Sequence, residues 1–482
     1  MDQGVQQPIS ALARFEQSLA RPDIIADLAN GLIGRDAVVD GPFGIKPLVY
    51  ADYVASGRAL MQVEQFVLEQ VLPYYANSHT EASFCGSTMT RMRREARSRI
   101  GEICGADSRY AVIFTGSGAT AGLNRLVKLF GADLANTRVI LGPYEHHSNI
   151  LPWRESGADI IELPEAEDGG PDLEALSQCL AESSRFDRVI CSFSAASNVT
   201  GIVTDVATVT RMVKASGAVM IWDYAGAGPY VPIRMVPSIE AEIDAIVVSP
   251  HKFIGGPGAS GIMIVRRDAV GRDLPTWPGG GTVRFVSSHG HDYAQNLEAR
   301  EEAGTPNVVG DIRAALAFMV KEAIGADYMR ERQQELRQRA LSAWRAHPNI
   351  ELLGNLDTDR LPIFSFRLRD GQGGYVHQQL ATRMLSDRFG IQARGGCACA
   401  GPYVHRLLNI SDEESDRLRA AILAGEEMEK PGFVRLNFSV LLDDAKVDYI
   451  LANVIQLASD ALSFGEVYGF DPARAIFFPK AA

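Results

Sequence analysis

Between residues 110 and 265 the chain alternates short apolar runs with amphipathic stretches, and no other feature restricts its fold as much. The runs are Tyr110 to Phe114, Arg138 to Leu141, Asp159 to Leu163, Arg188 to Phe193, Ala218 to Trp222, Asp244 to Val248 and Gly261 to Val265. Strands this apolar must be covered on both faces, so the pattern predicts an α/β fold with a mostly parallel seven-stranded sheet between layers of helices. Such sheets bind ligands at the carboxyl ends of their strands, so the segments that follow each run are where chemistry belongs.

The flanking segments suggest further divisions. Residues 1–45 carry a helical period in Ile9, Leu12, Phe15 and Leu19 and reach a turn at Gly41-Pro42. They read as an N-terminal extension joining the small domain or a dimer contact. A large domain is expected over 46–325 and a smaller α+β C-terminal domain over 326–482. A long helix over Ile312 to Arg337 links the two in this reading. The small domain would hold strands near Pro362 to Leu368 and Val434 to Phe438 and a helix over Asp444 to Leu462.

Of the 482 residues 46% are apolar, enough for a large core. Lys and Arg number 47 against 59 Asp and Glu, a net charge of -12 without a basic block, which argues against nucleic acid and anionic membranes as partners. No window has the roughly 18 uncharged apolar residues of a membrane span, and the first thirty residues lack a continuous apolar core, so a cytoplasmic location is expected. The six cysteines are scattered, which directs attention to reactivity rather than disulfide scaffolding.

At the strand ends the residue types converge on one chemistry. Ser249-Pro250-His251-Lys252 follows the run ending at Val248 and precedes Gly255-Gly256-Pro257-Gly258. A lysine at such a junction can form a Schiff base while neighbouring hydroxyl and imidazole groups bind a phosphate, so Lys252 with Ser249 and His251 reads as a pyridoxal-phosphate lysine. Ser117, Gly118, Ala119 and Thr120 open a helix after another run, where the helix dipole and free N-H groups suit a phosphate; plain helix capping is the alternative. Asp223 ends the run Ala218 to Trp222, where a carboxylate can pair with a protonated pyridine nitrogen or merely cap the next turn. His146, after the run ending at Leu141, can stack on a ring and handle protons, although single histidines often serve structure alone. Asn198 offers an amide to a ring hydroxyl.

This constellation resembles the class V aminotransferase fold, the fold type I of pyridoxal-phosphate-dependent transferases, and within it the cysteine desulfurases and selenocysteine lyases. Glu145-His146-His147-Ser148-Asn149-Ile150-Leu151-Pro152-Trp153 matches that group's Glu-His-His-x-Asn-x-x-Pro-Trp segment, and Ser249, His251 and Lys252 match its Ser-x-His-Lys. Glu302-Ala303-Gly304-Thr305-Pro306-Asn307 matches as well, where the family's threonine reaches the phosphate of the neighbouring subunit's cofactor. The resemblance covers roughly residues 48 to 460. It implies pyridoxal 5'-phosphate as cofactor and a homodimer in which Thr305 serves the partner's site.

Arg394-Gly395-Gly396-Cys397-Ala398-Cys399-Ala400-Gly401-Pro402 bears on the reaction. Its glycines allow a mobile loop on which a thiol approaches substrate while an arginine holds the amino-acid carboxylate; equally, small cysteines pack well in a tight loop. The family's desulfurases have an Arg-x-Gly-x-x-Cys-Ala-x-Pro loop, which places Arg394 as a carboxylate ligand and Cys399 as the sulfur acceptor. Cys397 stands where relatives often carry histidine. Two cysteines are too few for a closed zinc site, so no metal is expected. Arg435 resembles the family's second carboxylate-binding arginine, although a strand arginine often makes only a surface ion pair.

The resemblance thus implies Lys252, His146 and Cys399 as catalytic groups of a cysteine desulfurase that yields L-alanine and a Cys399 persulfide, with a sulfur-acceptor protein as a further partner. Two departures stand out. Gly226 replaces the usual Gln or His after Asp223, and about twenty residues including Asp412-Glu413-Glu414 are added before Arg435, as in molybdenum-cofactor sulfurases, whose loop reads Gly-Cys-x-Cys. Competing readings are a carbon-sulfur lyase or an epimerase of the isopenicillin N type, in which Cys399 is not catalytic, and a binding protein that kept the fold.

Overall fold

In the computed structural model, residues 9–78 and 81–480 are described, so the first eight residues of the N-terminal segment lie outside them. The seven runs form the strands β1 (Tyr110–Gly116), β2 (Thr137–Leu141), β3 (Asp159–Glu162), β4 (Arg188–Ser194), β5 (Val219–Asp223), β6 (Ala245–Val248) and β7 (Gly261–Arg266). They make one sheet in the order β1-β7-β6-β5-β4-β2-β3. β2 pairs in parallel with β3 and β4, and β5 with β6, while β7 runs antiparallel to β1 and β6. Every residue of β6 is buried, which explains why this strand reads as an unbroken apolar run rather than as an alternation.

A four-stranded antiparallel sheet follows, from β8 (Ile350–Leu352), β9 (Ile363–Leu368), β10 (Arg394–Gly396) and β11 (Phe433–Asn437), in the order β8-β9-β11-β10. Its apolar face packs with the helix Asp444–Gly465 around Trp344, whose ring lies 6.0 Å from Phe438 and whose Nε1-H donates to the Leu451 carbonyl at 3.2 Å. This cluster gives the C-terminal region its own core.

The chain divides into two compact units. One comprises the described part of Met1–Ile33 with Ser56–Leu134 and Val219–Ala326; the other comprises Gly34–Ala55, Ala135–Ala218 and the described part of Asp327–Ala482. The N-terminal helix Ala11–Leu19 belongs to the first and buries Leu12, Phe15 and Leu19, as the period predicts. The long helix expected over Ile312 to Arg337 is instead two helices, Val308–Ile324 and Ala326–Trp344. Gly325 separates them at a φ of 83°, a left-handed conformation that a glycine adopts freely and that ends the i to i-4 ladder. Among the described residues no helix is long and apolar enough to cross a membrane.

Candidate active site

In the first unit the strand ends assemble as their sequence suggests. Gly116, the last residue of β1, pairs with Gly261, the first of β7, and Ile262 pairs with Val248 at the end of β6. Asp223 ends β5 opposite Val247. Ser117 turns the chain into the helix Gly118–Leu129, and its hydroxyl makes no capping bond to that helix, so plain capping does not account for it. The Ser249 hydroxyl accepts the Ala119 N-H at 2.9 Å, tying the turn 117–120 to the segment that carries Lys252. Thr120 and Ser117 are exposed, and the helix has no acidic side chain in its first turn. That donor set suits an anion.

Two glycines that drew no notice in the sequence make this packing possible. A Cβ on Gly261 would collide with the backbone of Gly118, and one on Gly57 would collide with the Phe253 carbonyl, next to Lys252. Gly57 also donates its N-H to the His251 carbonyl at 2.9 Å, holding the Lys252 turn from below.

Asp223 is buried, and burial pushes its carboxyl above the usual range, offset in part by the Ala225 N-H at 2.7 Å and by the charge of Lys252. A buried carboxylate so placed is completed by a cation, which is what a protonated pyridine nitrogen provides. The buried acid, the neighbouring lysine and the anion-suited turn therefore fit pyridoxal phosphate. Gly226, three residues beyond Asp223, has no side chain to add.

His251 is pushed down to about 4 by burial and then by the Lys252 charge, against 6.5 ordinarily. Between these values the unfolded chain binds a proton that the folded chain does not, so stability is complete above the upper value and is lost as pH falls towards the lower one. Discounted for partial exposure, the loss is about 2 kcal/mol. Urea midpoints measured from pH 7 to 4 should fall more steeply for the wild type than for His251→Asn; parallel slopes would contradict this assignment.

Glu302 and Asn307 of the predicted threonine segment are structural. Glu302 pairs with Arg93 and Arg97 and accepts the Phe114 N-H at 2.8 Å, and Asn307 caps the helix Val308–Ile324 through the Gly310 N-H. Thr305 is left exposed beside Gly304.

In the second unit, the spacing of the Glu145 to Trp153 segment has a plain cause. The buried Glu145 carboxylate accepts from the Ser194 N-H and hydroxyl, both at 2.8 Å, and from the Asn149 amide. Asn149 Oδ1 in turn accepts from Trp153 Nε1 at 3.0 Å and from Ser192 Oγ at 2.6 Å. The network satisfies every member and staples the segment to the end of β4. His146 and His147 are left half-buried. His146 Nδ1 accepts the Ser148 N-H at 3.1 Å, so the neutral ring carries its proton on Nε2.

The cysteine loop leaves β10 and enters the helix Gly401–Leu407. Ala398 and Cys399 stand at φ 51° and 55°, left-handed conformations that cost about 1 kcal/mol or more for each side-chain-bearing residue. Asn198 Nδ2 donates to the Ala398 carbonyl at 2.8 Å, the His147 N-H donates to the Cys399 carbonyl at 2.8 Å, and His147 Nε2 accepts the Gly401 N-H at 3.0 Å. The Cys399 side chain is exposed, whereas Cys397 is half-buried against a cluster with Tyr144, Val199 and Tyr403. The two cysteines thus divide the two readings of the loop: Cys397 packs and Cys399 is presented.

Arg394 and Arg435 share a carboxylate that sequence reading missed. Asp52 Oδ2 accepts from Arg394 Nε at 2.9 Å, and Oδ1 accepts from Arg435 Nη2 at 3.0 Å. Arg435 is 4% exposed and also donates to the Asn198 carbonyl, while the Arg394 side chain is 50% exposed. Arg394 is therefore the one open to a ligand, and Arg435 holds Asp52 and Asn198. The residues added before Arg435 form the helix Asp412–Leu423 and, with β9 and β11, line a cavity of about 370 Å³. Among the described residues no three His, Cys, Asp or Glu side chains gather as a metal-ligand set.

Comparison with known proteins places these features in context. The sequence model of the family Aminotransferase class-V matches residues 49–449. A cysteine desulfurase from Pectobacterium atrosepticum is 30% identical over 396 residues, covering 78% of this chain and 93% of that protein. A probable cysteine desulfurase from Halalkalibacterium halodurans is 28% identical over 77% of this chain and 88% of its own length. Among solved structures, a cysteine desulfurase from Escherichia coli superposes with a TM-score of 0.70 at 22% identity, covering 91% of this chain and 98% of that one, a likeness of fold.

Proposed function

As this chain belongs to the class V aminotransferase family, we propose that it is a pyridoxal-phosphate-dependent cysteine desulfurase, which takes sulfur from L-cysteine and leaves L-alanine. The observation that carries the reading is the presentation of Cys399: an exposed thiol on a loop held in left-handed conformation, five residues from the open guanidinium of Arg394. A cysteine that merely filled the loop would pack against its neighbours, as the half-buried Cys397 does.

Each residue then has a role set by its chemistry. Ser117, Gly118, Ala119, Thr120 and Ser249 hold the cofactor phosphate, with His251 beside them and Thr305 serving the partner's site. Asp223 would hold the pyridine nitrogen, His146 would stack on the ring, and the Asn198 amide would be available to its hydroxyl. When bound, the cofactor supplies an electron sink for the charge that develops at the substrate Cα. Arg394 binds the substrate carboxylate, steadied by Asp52 and Arg435. Lys252 Nζ takes the Cα proton. Cys399 Sγ, as thiolate, attacks the substrate Sγ; the carbon-sulfur bond breaks, its electron pair stays with the carbon fragment, and protonation at Cβ with return of the Lys252 proton to Cα gives alanine. Cys399 is left as a persulfide, and His146 manages the proton exchanged near the sulfur.

The enzyme acts as a homodimer in the cytoplasm and passes its sulfur to an acceptor protein. Leu68, Phe84, Trp277, Phe285 and Val286, all more than half exposed in the first unit, suit the surface of a second copy. Borohydride reduction in the presence of pyridoxal phosphate should fix the cofactor on the Lys252 peptide, as mass spectrometry reads it, and leave Lys252→Ala unlabelled. Failure to label Lys252, together with absence of alanine formed from cysteine, would overturn the assignment.

A further inference from the structure

We propose that His147 is a positioning residue for Cys399: its neutral ring and its main chain form a clasp that holds the cysteine loop in the conformation that presents the thiol. The inference rests on the reading of Cys399 as sulfur acceptor and adds to it a residue whose role is not chemical. His147 holds the chain at two points directly after the Cys399 Cα. Its N-H donates to the Cys399 carbonyl at 2.8 Å, and its Nε2 accepts the Gly401 N-H at 3.0 Å. The Asn198 amide adds a third bond one residue earlier, at the Ala398 carbonyl.

The need for a clasp lies in the backbone it encloses. Ala398 and Cys399 are consecutive residues with side chains at positive φ, a conformation that an unrestrained segment leaves for the β or right-handed region. Leaving it would redirect the Cys399 side chain. Within the cysteine loop, Cys397 gives Ala400 a carbonyl at 3.2 Å, which closes the turn but does not tie it to another segment. His147 makes that tie from the segment that the Glu145, Asn149 and Trp153 network holds, and Asn198 makes it from the turn after β4.

The ring's acceptor nitrogen is essential to this. With Nε2 accepting, the proton of neutral His147 sits on Nδ1, the opposite tautomer to His146. Burial and the nearby Arg154 both favour the neutral ring, so the acceptor is retained. The two partners are closely packed: a Cβ on Gly401 would stand 3.1 Å from Nε2, nearer than ordinary van der Waals contact.

The test compares wild type, His147→Leu and His147→Gln as loaded enzymes. Amide hydrogen exchange over residues 398–401 should become at least about tenfold faster in His147→Leu, which loses the acceptor for Gly401. Persulfide formation on Cys399 in a single turnover with cysteine should slow by about 10- to 100-fold, the scale expected for a misplaced reacting group. Exchange of the substrate α-proton with deuterium oxide should stay within about twofold, since it depends on Lys252. His147→Gln, whose side-chain carbonyl can accept the same N-H, should recover most of both losses. Unchanged amide exchange in His147→Leu, or persulfide formation at the wild-type rate, would overturn the proposal, as would a parallel loss of α-proton exchange. Should the wild type form no persulfide, the desulfurase reading fails by itself, and the amide exchange still decides whether His147 holds the loop.

Discussion

Replacing Cys399 by serine is expected to abolish alanine formation from cysteine, by about 10³-fold or more, while α-proton exchange of the same substrate continues. The reason is nucleophilicity: a thiolate attacks divalent sulfur readily, whereas a serine hydroxyl is un-ionised at neutral pH and forms no persulfide. The fold should tolerate the change, because the Cys399 side chain is exposed and exposed substitutions cost within about 0.5 kcal/mol. Cys397→Ala is the informative contrast. Its thiol packs in the cluster around Tyr144 and Tyr403, so about 1 kcal/mol of stability is lost and turnover is kept. The measurements are persulfide on the Cys399 peptide, alanine yield and α-deuterium incorporation. A Cys399→Ser enzyme that still yields alanine at the wild-type rate would move the chain to a lyase mechanism, in which this thiol takes no part.

Asp52→Asn should have the second large effect, on stability and on substrate binding together. In the folded chain one carboxylate serves two guanidinium groups, and Arg435 beneath it is almost wholly buried. An amide offers one acceptor and turns its N-H groups towards the other cation, so Arg435 is left as an undercompensated buried charge at a cost of about 3 kcal/mol. The half-exposed Arg394 adds little to that figure because solvent screens it. Its loss appears in binding instead: without Asp52 to orient it, the guanidinium no longer stands ready for a carboxylate, and KM for cysteine should rise about tenfold. Denaturation midpoints and Michaelis constants of Asp52→Asn and Arg394→Ala separate the two roles. Equal stability of wild type and Asp52→Asn would contradict the shared-carboxylate account.

Much of the first unit is legible along the chain because its chemistry is local to strand ends. Asp223 closes β5, Ser249 follows β6 and Ser117 follows β1, and a parallel arrangement brings such ends to one rim. The strand boundaries were misplaced only by a residue or two, since an apolar run does not mark where the ladder stops. The break at Gly325 was missed because a glycine within a helical period is tolerated often enough to hide. His147 lay in plain view within a quoted motif, but its neighbour His146 offered the more familiar chemistry.

Asp52 left no comparable signal. It stands 342 residues from Arg394 and 383 from Arg435, and nothing in its own neighbourhood distinguishes it from a turn aspartate. Gly57 and Gly261 were likewise unremarkable until the backbones they admit came into view. The alternation of strands and helices, the lysine, the acid and the Ser117 to Thr120 turn at the strand ends, and the pair of candidate thiols can be read along the chain, because they depend on residue type and short spacing. Which thiol is exposed, which arginine is open and what holds them follow from packing. Those are properties of burial and of hydrogen bonds between distant segments, and such partners are chosen by packing rather than by proximity along the chain.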